Sequence, residues 1–239
     1  MSERPSRRVE RPINSLADLQ LSDETRDSVL RHIGRLGVDA LEGWDIAATT
    51  LVEANKVTTY GATDDRINRV DQSQYEAWRG PCVDALEKDE AQYFDGTNVE
   101  PSWRQFADVA GDAGIYSVLS FPLRLDGEIM GALNFYSEER DALRQGQREE
   151  GYLFAAQAAV TLANMRTLSE RDEQVAQLQA GLETRTLIGQ ATGLLMAQEG
   201  VSSAEAFQKL VKASQGTNLK LRDIAKRFVD AWEEKHGAI

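Results

Sequence analysis

The sequence predicts an α+β domain followed by an all-helical C-terminal part. Segments with strand patterns alternate with short helical segments between residues 45 and 145. Within that region an Asp-Gly dipeptide separates two long apolar runs, as in a β-hairpin. From about Gln145 onward the pattern is helical only and contains no proline.

Composition limits the class of protein. The chain has 239 residues, of which 41% are hydrophobic and 28% charged, as in ordinary soluble proteins. No apolar run is long enough to span a membrane, and no secretory segment follows the N-terminus. The single cysteine, Cys82, excludes an intramolecular disulfide and favours a cytoplasmic setting. With only His32 and His236 present, a zinc site built from His and Cys is not expected. A Ser-His-Asp or Cys-His arrangement stays open, but no local pattern supports one, and we expect no metal, no cofactor and no catalytic residues.

The charge is unevenly distributed along the chain. Residues 185–239 contain eight Lys or Arg and six Asp or Glu, whereas the other 184 residues contain 19 and 33. The net charge of −12 is therefore +2 in the C-terminal part and −14 in the rest. This division favours a polyanion as partner of the C-terminal part, although a chance fluctuation would look the same.

The N-terminal elements follow from local patterns. The polar residues 1–14 contain two prolines, and we expect a disordered leader over residues 1–20. The next helix is predicted from a cap at Ser22 and from Val29, Ile33 and Leu36 at helical spacing.

The central region carries the strand patterns. Residues 45–52 and 56–65 predict two strands, and residues 91–96 a third. Pro81 and Pro101 each begin a predicted helix, because proline suits a first helical turn.

A hairpin is the strongest strand prediction. Asp126-Gly127 suits a type I′ turn between two apolar runs. Pro122 must then lie where the sheet requires no N–H donor. Trp103 and Phe106, at helical spacing, are predicted core residues. Cys82 is either a small buried side chain or a thiol of lowered pKa.

The C-terminal part is predicted to contain three helices. Leu168, Val175 and Leu182 stand seven residues apart with Leu178 between them, which favours a parallel dimer seam; a single helix packed on its own domain is the alternative.

Two shorter helices follow the long one. Ser202 and Glu205 form a capping box that begins the second helix, which Gly216 ends. Asn218 is predicted to cap the last helix.

Two glycines, Gly189 and Gly193, lie inside the first of these helices. A phosphate-binding loop is excluded because no lysine follows Gly193 and no strand precedes Gly189. The polar Arg185 and Gln190 exclude a membrane helix. The remaining interpretations are a surface for close approach of another helix or of a nucleic-acid backbone, and a simple packing notch.

Longer motifs resemble two known families. "IGQATGLLM", "GVSSAEAF" and "NLKLRDIA" occur in the order and spacing of an ANTAR domain, the three-helix RNA-binding module of transcription antitermination regulators. Upstream, "GPCVDA", "PSWRQFA" and "AGIYSVLSFPLRLDGEIMGALNFYS" resemble the GAF domain that often precedes ANTAR in actinobacterial-type regulators. The resemblance implies a six-stranded or similar antiparallel sheet with flanking helices, joined by a long helix to a three-helix bundle.

The resemblance also implies domain bounds and a function. The expected parts are a GAF sensory domain over 21–165, a coiled-coil linker over 166–182 and an ANTAR domain over 183–239. Such a regulator binds paired stem-loops in nascent leader RNA, usually as a homodimer, and its GAF domain can bind a small molecule that this sequence does not identify. The implied RNA-binding residues are Arg185, Gln190, Thr192, Gly193, Lys212, Lys220 and Arg222.

The chain departs from the ANTAR pattern at three places. Thr192, Gln198 and Val211 stand where the family has or commonly has a basic residue, although Lys209 adds a charge nearby. Fewer cations mean weaker phosphate binding. The alternative function is therefore a protein-interaction or dimerisation regulator, with a GAF ligand sensor and an ANTAR-like bundle that has lost RNA binding.

Overall fold

The computed structural model describes residues 7–19, 25–54, 56–97 and 99–236. The chain divides into two compact units, residues 1–168 and residues 169–239. The first unit is α+β and the second is helical, as the sequence predicts.

A five-stranded antiparallel sheet forms the centre of the first unit. Its spatial order is β2-β1-β5-β4-β3. The described strands are β1 Ile46–Glu53, β2 Lys56–Tyr60, β3 Gln92–Phe94, β4 Ser117–Leu125 and β5 Glu128–Ser137. This is one strand fewer than the six that the resemblance suggests as typical.

Eight helices surround or follow the sheet in the described part of the chain. The first five are α1 Arg7–Ala17, α2 Arg26–Ala40, α3 Arg66–Ala77, α4 Pro81–Lys88 and α5 Arg104–Asp112, the last preceded by a 3-10 turn at Pro101–Trp103. The remaining three are α6 Gln147–Glu199, α7 Ser203–Thr217 and α8 Leu221–His236.

The predicted hairpin is confirmed. Asp126 and Gly127 both have positive φ, 51° and 87°, as a type I′ turn requires. β3 pairs only with Val118–Ser120 of β4. Pro122 pairs with Ala132 of β5 and lies beyond the end of β3, so on the β3 side its missing N–H leaves no sheet hydrogen bond unmade.

Side chains alternate along each strand between the two faces of the sheet, and both faces are buried. One face carries Phe121 and Phe135 and packs on α1, α2 and the first part of α6. The opposite face carries Val118 and Tyr136 and packs on α3 and α5. Trp103 and Phe106 belong to this second core, which confirms them as core residues.

Near the N-terminus one expectation differs from the structure, one lies outside the described residues, and one observed helix was not predicted. Residues 7–17 of the expected disordered leader form α1, which buries Val9 and Leu16 against the sheet core. The predicted cap at Ser22 lies outside the described residues, and the hydroxyl of Thr25 caps α2 by accepting from the Ser28 N–H. The helix α3 has no counterpart in the sequence analysis, although Ile67 and Val70 have helical spacing.

The second unit is a bundle of the C-terminal part of α6 with α7 and α8. Its buried core consists of small and medium side chains: Ala191, Leu195, Ala206, Leu210, Ala225 and Val229. The capping box of Ser202 and Glu205 is present in both directions. The prediction for Asn218 is wrong, because its left-handed backbone, φ 55°, ends α7 instead of capping α8.

Gly131 is a site where the sheet tolerates no side chain. A Cβ built at Gly131 lies 1.9 Å from the backbone oxygen of Thr50 in β1. Gly131→Ala should therefore separate β1 from β5 and lower the free energy of unfolding by at least about 2 kcal/mol. Chemical denaturation of the full chain, followed by far-UV circular dichroism, measures this.

Gly111→Ala is the matched control for that substitution. Gly111 lies in α5, and a Cβ there has no atom within 4 Å. Its replacement should leave stability equal or raise it by about 0.5 kcal/mol, because alanine favours helix. Equal stability of the two variants would show that β1 does not approach Gly131 this closely.

Candidate RNA interface and buried polar cluster

One end of the bundle carries the predicted basic residues of α7 and α8. Lys212 lies five residues before the end of α7, Lys220 lies in the short loop, and Arg222 lies in the first turn of α8. All three are exposed. Lys212 and Lys220 form no ion pair within the described residues, whereas Arg222 Nε lies 3.3 Å from Asp223 Oδ1. Lys220 and Arg222 therefore lie at the α7–α8 loop, and Lys212 lies in the C-terminal half of α7.

The charge of α8 is divided along its length. Its first half adds Lys226 and Arg227, both exposed, to the loop cations. Its second half carries Asp230, Glu233 and Glu234 against one lysine, Lys235. A polyanion is thus attracted to the loop end of α8 and repelled from its C-terminal half.

The predicted residues on α6 have unequal access to solvent. Arg185 and Gln190 are exposed, and neither side chain forms a hydrogen bond or ion pair within the described part of the chain. Thr192 is only 8% exposed, and its hydroxyl donates to the Ile188 carbonyl at 2.7 Å. The polar atom of Thr192 is therefore already used inside its own helix.

The two glycines of α6 lie beside an open, mainly apolar groove. A Cβ built on Gly189 or on Gly193 has no atom within 4 Å, so packing inside the bundle does not require glycine at either place. One wall of the groove is formed by α6, through the two glycines and Met196. The opposite wall is formed by Ala204 and Phe207 of α7. Sequence reasoning missed Phe207, which is 39% exposed. The sequence did contain a signal for this exposure. Ala206 and Leu210 are four residues apart and share the buried face of α7, whereas Phe207 is displaced from that face by about 100°.

The predicted dimer seam is exposed. Val175, Leu178 and Leu182 are 51%, 69% and 63% exposed. The alternative, a helix that packs this stripe on its own unit, would have buried them. Large apolar side chains on one stripe mark an interaction surface more often than a free one.

The departures from the ANTAR pattern are visible in the structure. Gln198 is exposed, and Val211 is half-buried, so neither contributes a cation to the surface. The nearby Lys209 forms an ion pair with Glu199. Lys209 therefore replaces the missing charge only in part.

In the first unit, a carboxylate lies buried between the sheet and α3. Asp71 is fully buried and accepts hydrogen bonds from Tyr136 Oη at 2.6 Å, Thr59 Oγ1 at 2.8 Å and Gln74 Nε2 at 3.0 Å. Burial raises the pKa of Asp71 to about 6, and the hydrogen bonds oppose this rise.

A chain of hydroxyl groups leads to Asp71. The hydroxyl of Thr59 gives its one proton to Asp71, so Tyr75 Oη, 2.7 Å away, must donate to Thr59. Thr50 must then donate to Tyr75 at 2.8 Å. Thr50 itself accepts from Cys82 Sγ at 3.2 Å and Asn134 Nδ2 at 2.8 Å. Donor counting thus orients the whole chain towards the carboxylate.

The structure decides between the two interpretations of Cys82. The thiol is fully buried, and burial together with the charge of Asp71 raises its pKa to about 12. A reactive cysteine needs a lowered pKa and access to solvent. The redox interpretation is therefore wrong, and Cys82 is a small buried side chain that donates to Thr50.

Two buried polar atoms beside this cluster lack a partner. Ser120 and Asn134 face each other across β4 and β5. Ser120 Oγ and Asn134 Oδ1 make no hydrogen bond within the described protein. Both side chains are fully buried, so these are two unsatisfied polar atoms in the interior of the sheet face.

The described residues contain neither a metal-binding cluster nor a helix suited to crossing a membrane. Within the described ranges, no cluster of three or more His, Cys, Asp or Glu side chains is arranged to bind a metal ion. Among the described helices, none combines the length and the apolar composition that crossing a membrane requires.

Comparisons with solved structures show the fold of the first unit. Free methionine-R-sulfoxide reductase of Neisseria meningitidis, solved with its substrate, is 16% identical with a TM-score of 0.53, covering 70% of this chain and 95% of its own. The GAF domain of a Coxiella burnetii phosphoenolpyruvate-protein phosphotransferase is 12% identical with a TM-score of 0.52, covering 68% and 97%. At these identities the similarity shows the fold alone. A search of curated proteins found no match.

Family models identify both parts of the chain. The GAF domain model matches residues 23–163, more than half of the chain, and the ANTAR domain model matches residues 176–229. Both are regulatory domains. The chain therefore belongs to the GAF domain family and is a GAF and ANTAR domain-containing protein.

Proposed function

We propose that the protein is a cytoplasmic, signal-responsive transcription antitermination regulator. Its ANTAR domain binds paired stem-loops in nascent leader RNA, and its GAF domain responds to a small molecule. The observation that carries the proposal is the group of exposed cations at the α7–α8 loop, inside the ANTAR match. An RNA that forms an antiterminator on binding would then prevent the terminator from forming.

RNA contact is assigned to the exposed predicted residues. Lys212, Lys220 and Arg222 are suited to phosphates, and unstacked loop bases offer edges to Arg185 and Gln190. We leave Thr192 and Gly193 out of this contact set. The hydroxyl of Thr192 is bonded inside α6, and Gly193 has no side chain to offer.

The dimer is part of the proposal. Two stem-loops in one RNA are best matched by two bundles, and the exposed Val175, Leu178 and Leu182 give two copies a surface through which to associate. Linked binding of two stem-loops raises overall affinity by effective concentration without any new contact.

The GAF domain is proposed as a sensor and not as an enzyme. Ser120 Oγ and Asn134 Oδ1 can bind a small polar molecule that offers both a donor and an acceptor. The buried Cys82, with its raised pKa, supplies no nucleophile. The reductases that share the fold therefore suggest no reaction for this chain.

Removing the loop cations tests RNA binding. The variant carrying Lys212→Gln, Lys220→Gln and Arg222→Gln should bind RNA at least about 30-fold more weakly at moderate salt. The slope of log affinity against log salt should fall by about 2, because three phosphate contacts are lost. The probe is a pool of RNAs with two adjacent hairpins and randomised loops, measured by gel shift and sequencing of the bound fraction.

The control removes three cations elsewhere. Arg35→Gln, Lys56→Gln and Arg69→Gln are exposed changes in the first unit, without ion pairs among the described residues. This variant should bind like the wild type. If the unmodified protein shifts no RNA at low salt, or enriches no loop sequence, the alternative function as a protein-interaction regulator replaces RNA binding.

The buried carboxylate makes the stability of the GAF domain depend on pH. The folded-state pKa of Asp71, about 6, lies above its ordinary value of 3.8. Its favourable contribution is therefore complete below pH 3.8 and is lost as the pH rises through 6.

Asp71→Asn tests this dependence. Between pH 4.5 and 7, the wild type should lose up to about 2 kcal/mol of unfolding free energy relative to Asp71→Asn, because only the wild type must ionise a buried group. Denaturant unfolding followed by tryptophan fluorescence measures the difference. Asp108→Asn changes an exposed residue, and its unfolding free energy should show the same pH dependence as that of the wild type. A pH-independent offset between wild type and Asp71→Asn would contradict the assignment.

A further inference from the structure

We propose that the dimer seam continues along α6 through the ANTAR domain. In this arrangement the groove beside Gly189 and Gly193 is occupied by the same stripe of α6 from a second copy of the chain. The inference rests on the dimer that is part of the proposed function, and it assigns the two glycines to a protein interface and not to RNA.

The periodicity of α6 places seam and groove on one stripe. Starting at Val175, steps of seven residues lead to Leu182, Gly189 and Met196. Leu178, Arg185 and Thr192 each stand three residues after a member of that series, as a and d positions do in a heptad. At about 100° per residue, all seven lie within a narrow sector of the helix surface.

The bundle uses a different side of α6. Ala191 and Leu195 are the α6 residues buried against α7 and α8. Gly189 and Gly193 are exposed, and neither would bring a Cβ within 4 Å of another atom. The stripe members from Val175 to Gly189 are therefore available to a partner, whereas Thr192 is only 8% exposed and Met196 is partly buried against the bundle core.

Length favours a second copy as that partner. The apolar seam from Leu168 to Leu182 spans two heptads, which is short for a stable coiled coil. Continued to Met196, the same spacing spans four heptads and about 42 Å of helix. The extension thus gives the seam the length that stable pairing needs.

The chemistry of the groove also favours protein over RNA. Its walls are apolar, with Met196 on one side and Phe207 on the other, and Arg185 is its one cation among the described lining residues. Glycine costs about 0.5–1 kcal/mol in a helix compared with alanine. Close approach of a second helix offsets this cost, because two backbones without side chains can pack against each other.

The position of Arg185 links the seam to the proposed RNA surface. Its aliphatic part can lie along the groove while the guanidinium reaches the edge. In a parallel dimer, two copies of Arg185 would then flank the seam. RNA phosphates would reduce their mutual repulsion, so that binding of RNA and pairing of helices support each other.

Disulfide trapping tests the extension. The native Cys82 is buried, so three separate variants each present one accessible thiol: Leu182→Cys in the seam, Gly189→Cys in the extension, and Gln190→Cys about 100° away on the same helix. In a parallel dimer, equivalent a positions are close enough for a disulfide. Under mild oxidation, Leu182→Cys and Gly189→Cys should form linked dimers at least ten times faster than Gln190→Cys or the wild type.

The outcomes separate this inference from the proposed function. Rapid linkage at position 182 with only background linkage at 189 would keep the dimer and overturn the extension. Background linkage at both positions, together with a monomeric mass by light scattering, would contradict both the dimer seam and its extension. RNA binding would then be tested separately by the gel shift.

A second variant decides between protein and RNA as occupant. Gly193→Leu fills the groove and should leave the bundle folded, because nothing lies near a Cβ at that position and leucine favours helix. It should weaken dimerisation at least tenfold in analytical ultracentrifugation without RNA. Unchanged dimerisation combined with loss of the RNA shift would assign the groove to RNA and contradict the inference.

Discussion

The carboxylate of Asp71 organises the interior of the GAF domain. It joins α3 to β2 through Thr59 and to β5 through Tyr136, and it orients a chain of hydroxyl groups that ends at Thr50. A buried charge without a cation is stable only if several donors surround it, and here the donors come from separate elements of the chain. The packing of α3 and α4 on the sheet is therefore tied to one ionisable group. Protonation would remove the buried charge and add one O–H donor to the carboxyl group, so that the hydroxyl of Thr59 could accept from Asp71 and the order of donors along the chain could reverse.

Much of this fold could be predicted from local sequence, because the decisive signals are short. The Asp126-Gly127 turn specifies its own hairpin, and Ser202 with Glu205 caps α7 in both directions. Local signals failed where tertiary contacts decide. The polar segment around Val9 forms a helix because α2 and the sheet bury its apolar side, and Asn218 satisfies the end of one helix where the sequence equally allowed the start of the next.

The candidate sites show the same division. The exposed positions of Lys212, Lys220 and Arg222 follow from the motif, and their contact with RNA stays a prediction. The buried cluster could not be predicted, since Asp71 and Tyr136 are 65 residues apart and only the sheet brings them together. The exposure of Phe207 was not predicted, because an aromatic residue in an amphipathic helix normally belongs to the core. The structure shows it at the surface, beside two glycines that the bundle does not need.

The lone thiol has a practical consequence for studies of this protein. Cys82 sits at the start of α4, sealed between that helix and the sheet, and it donates to Thr50 in place of reacting. An alkylating reagent can reach it only when α4 separates from the sheet, so the labelling rate measures the free energy of that opening. The native chain thus contains its own probe for local motion in the GAF domain. A molecule that binds between α4 and the sheet would be detected as protection of a single sulfur atom.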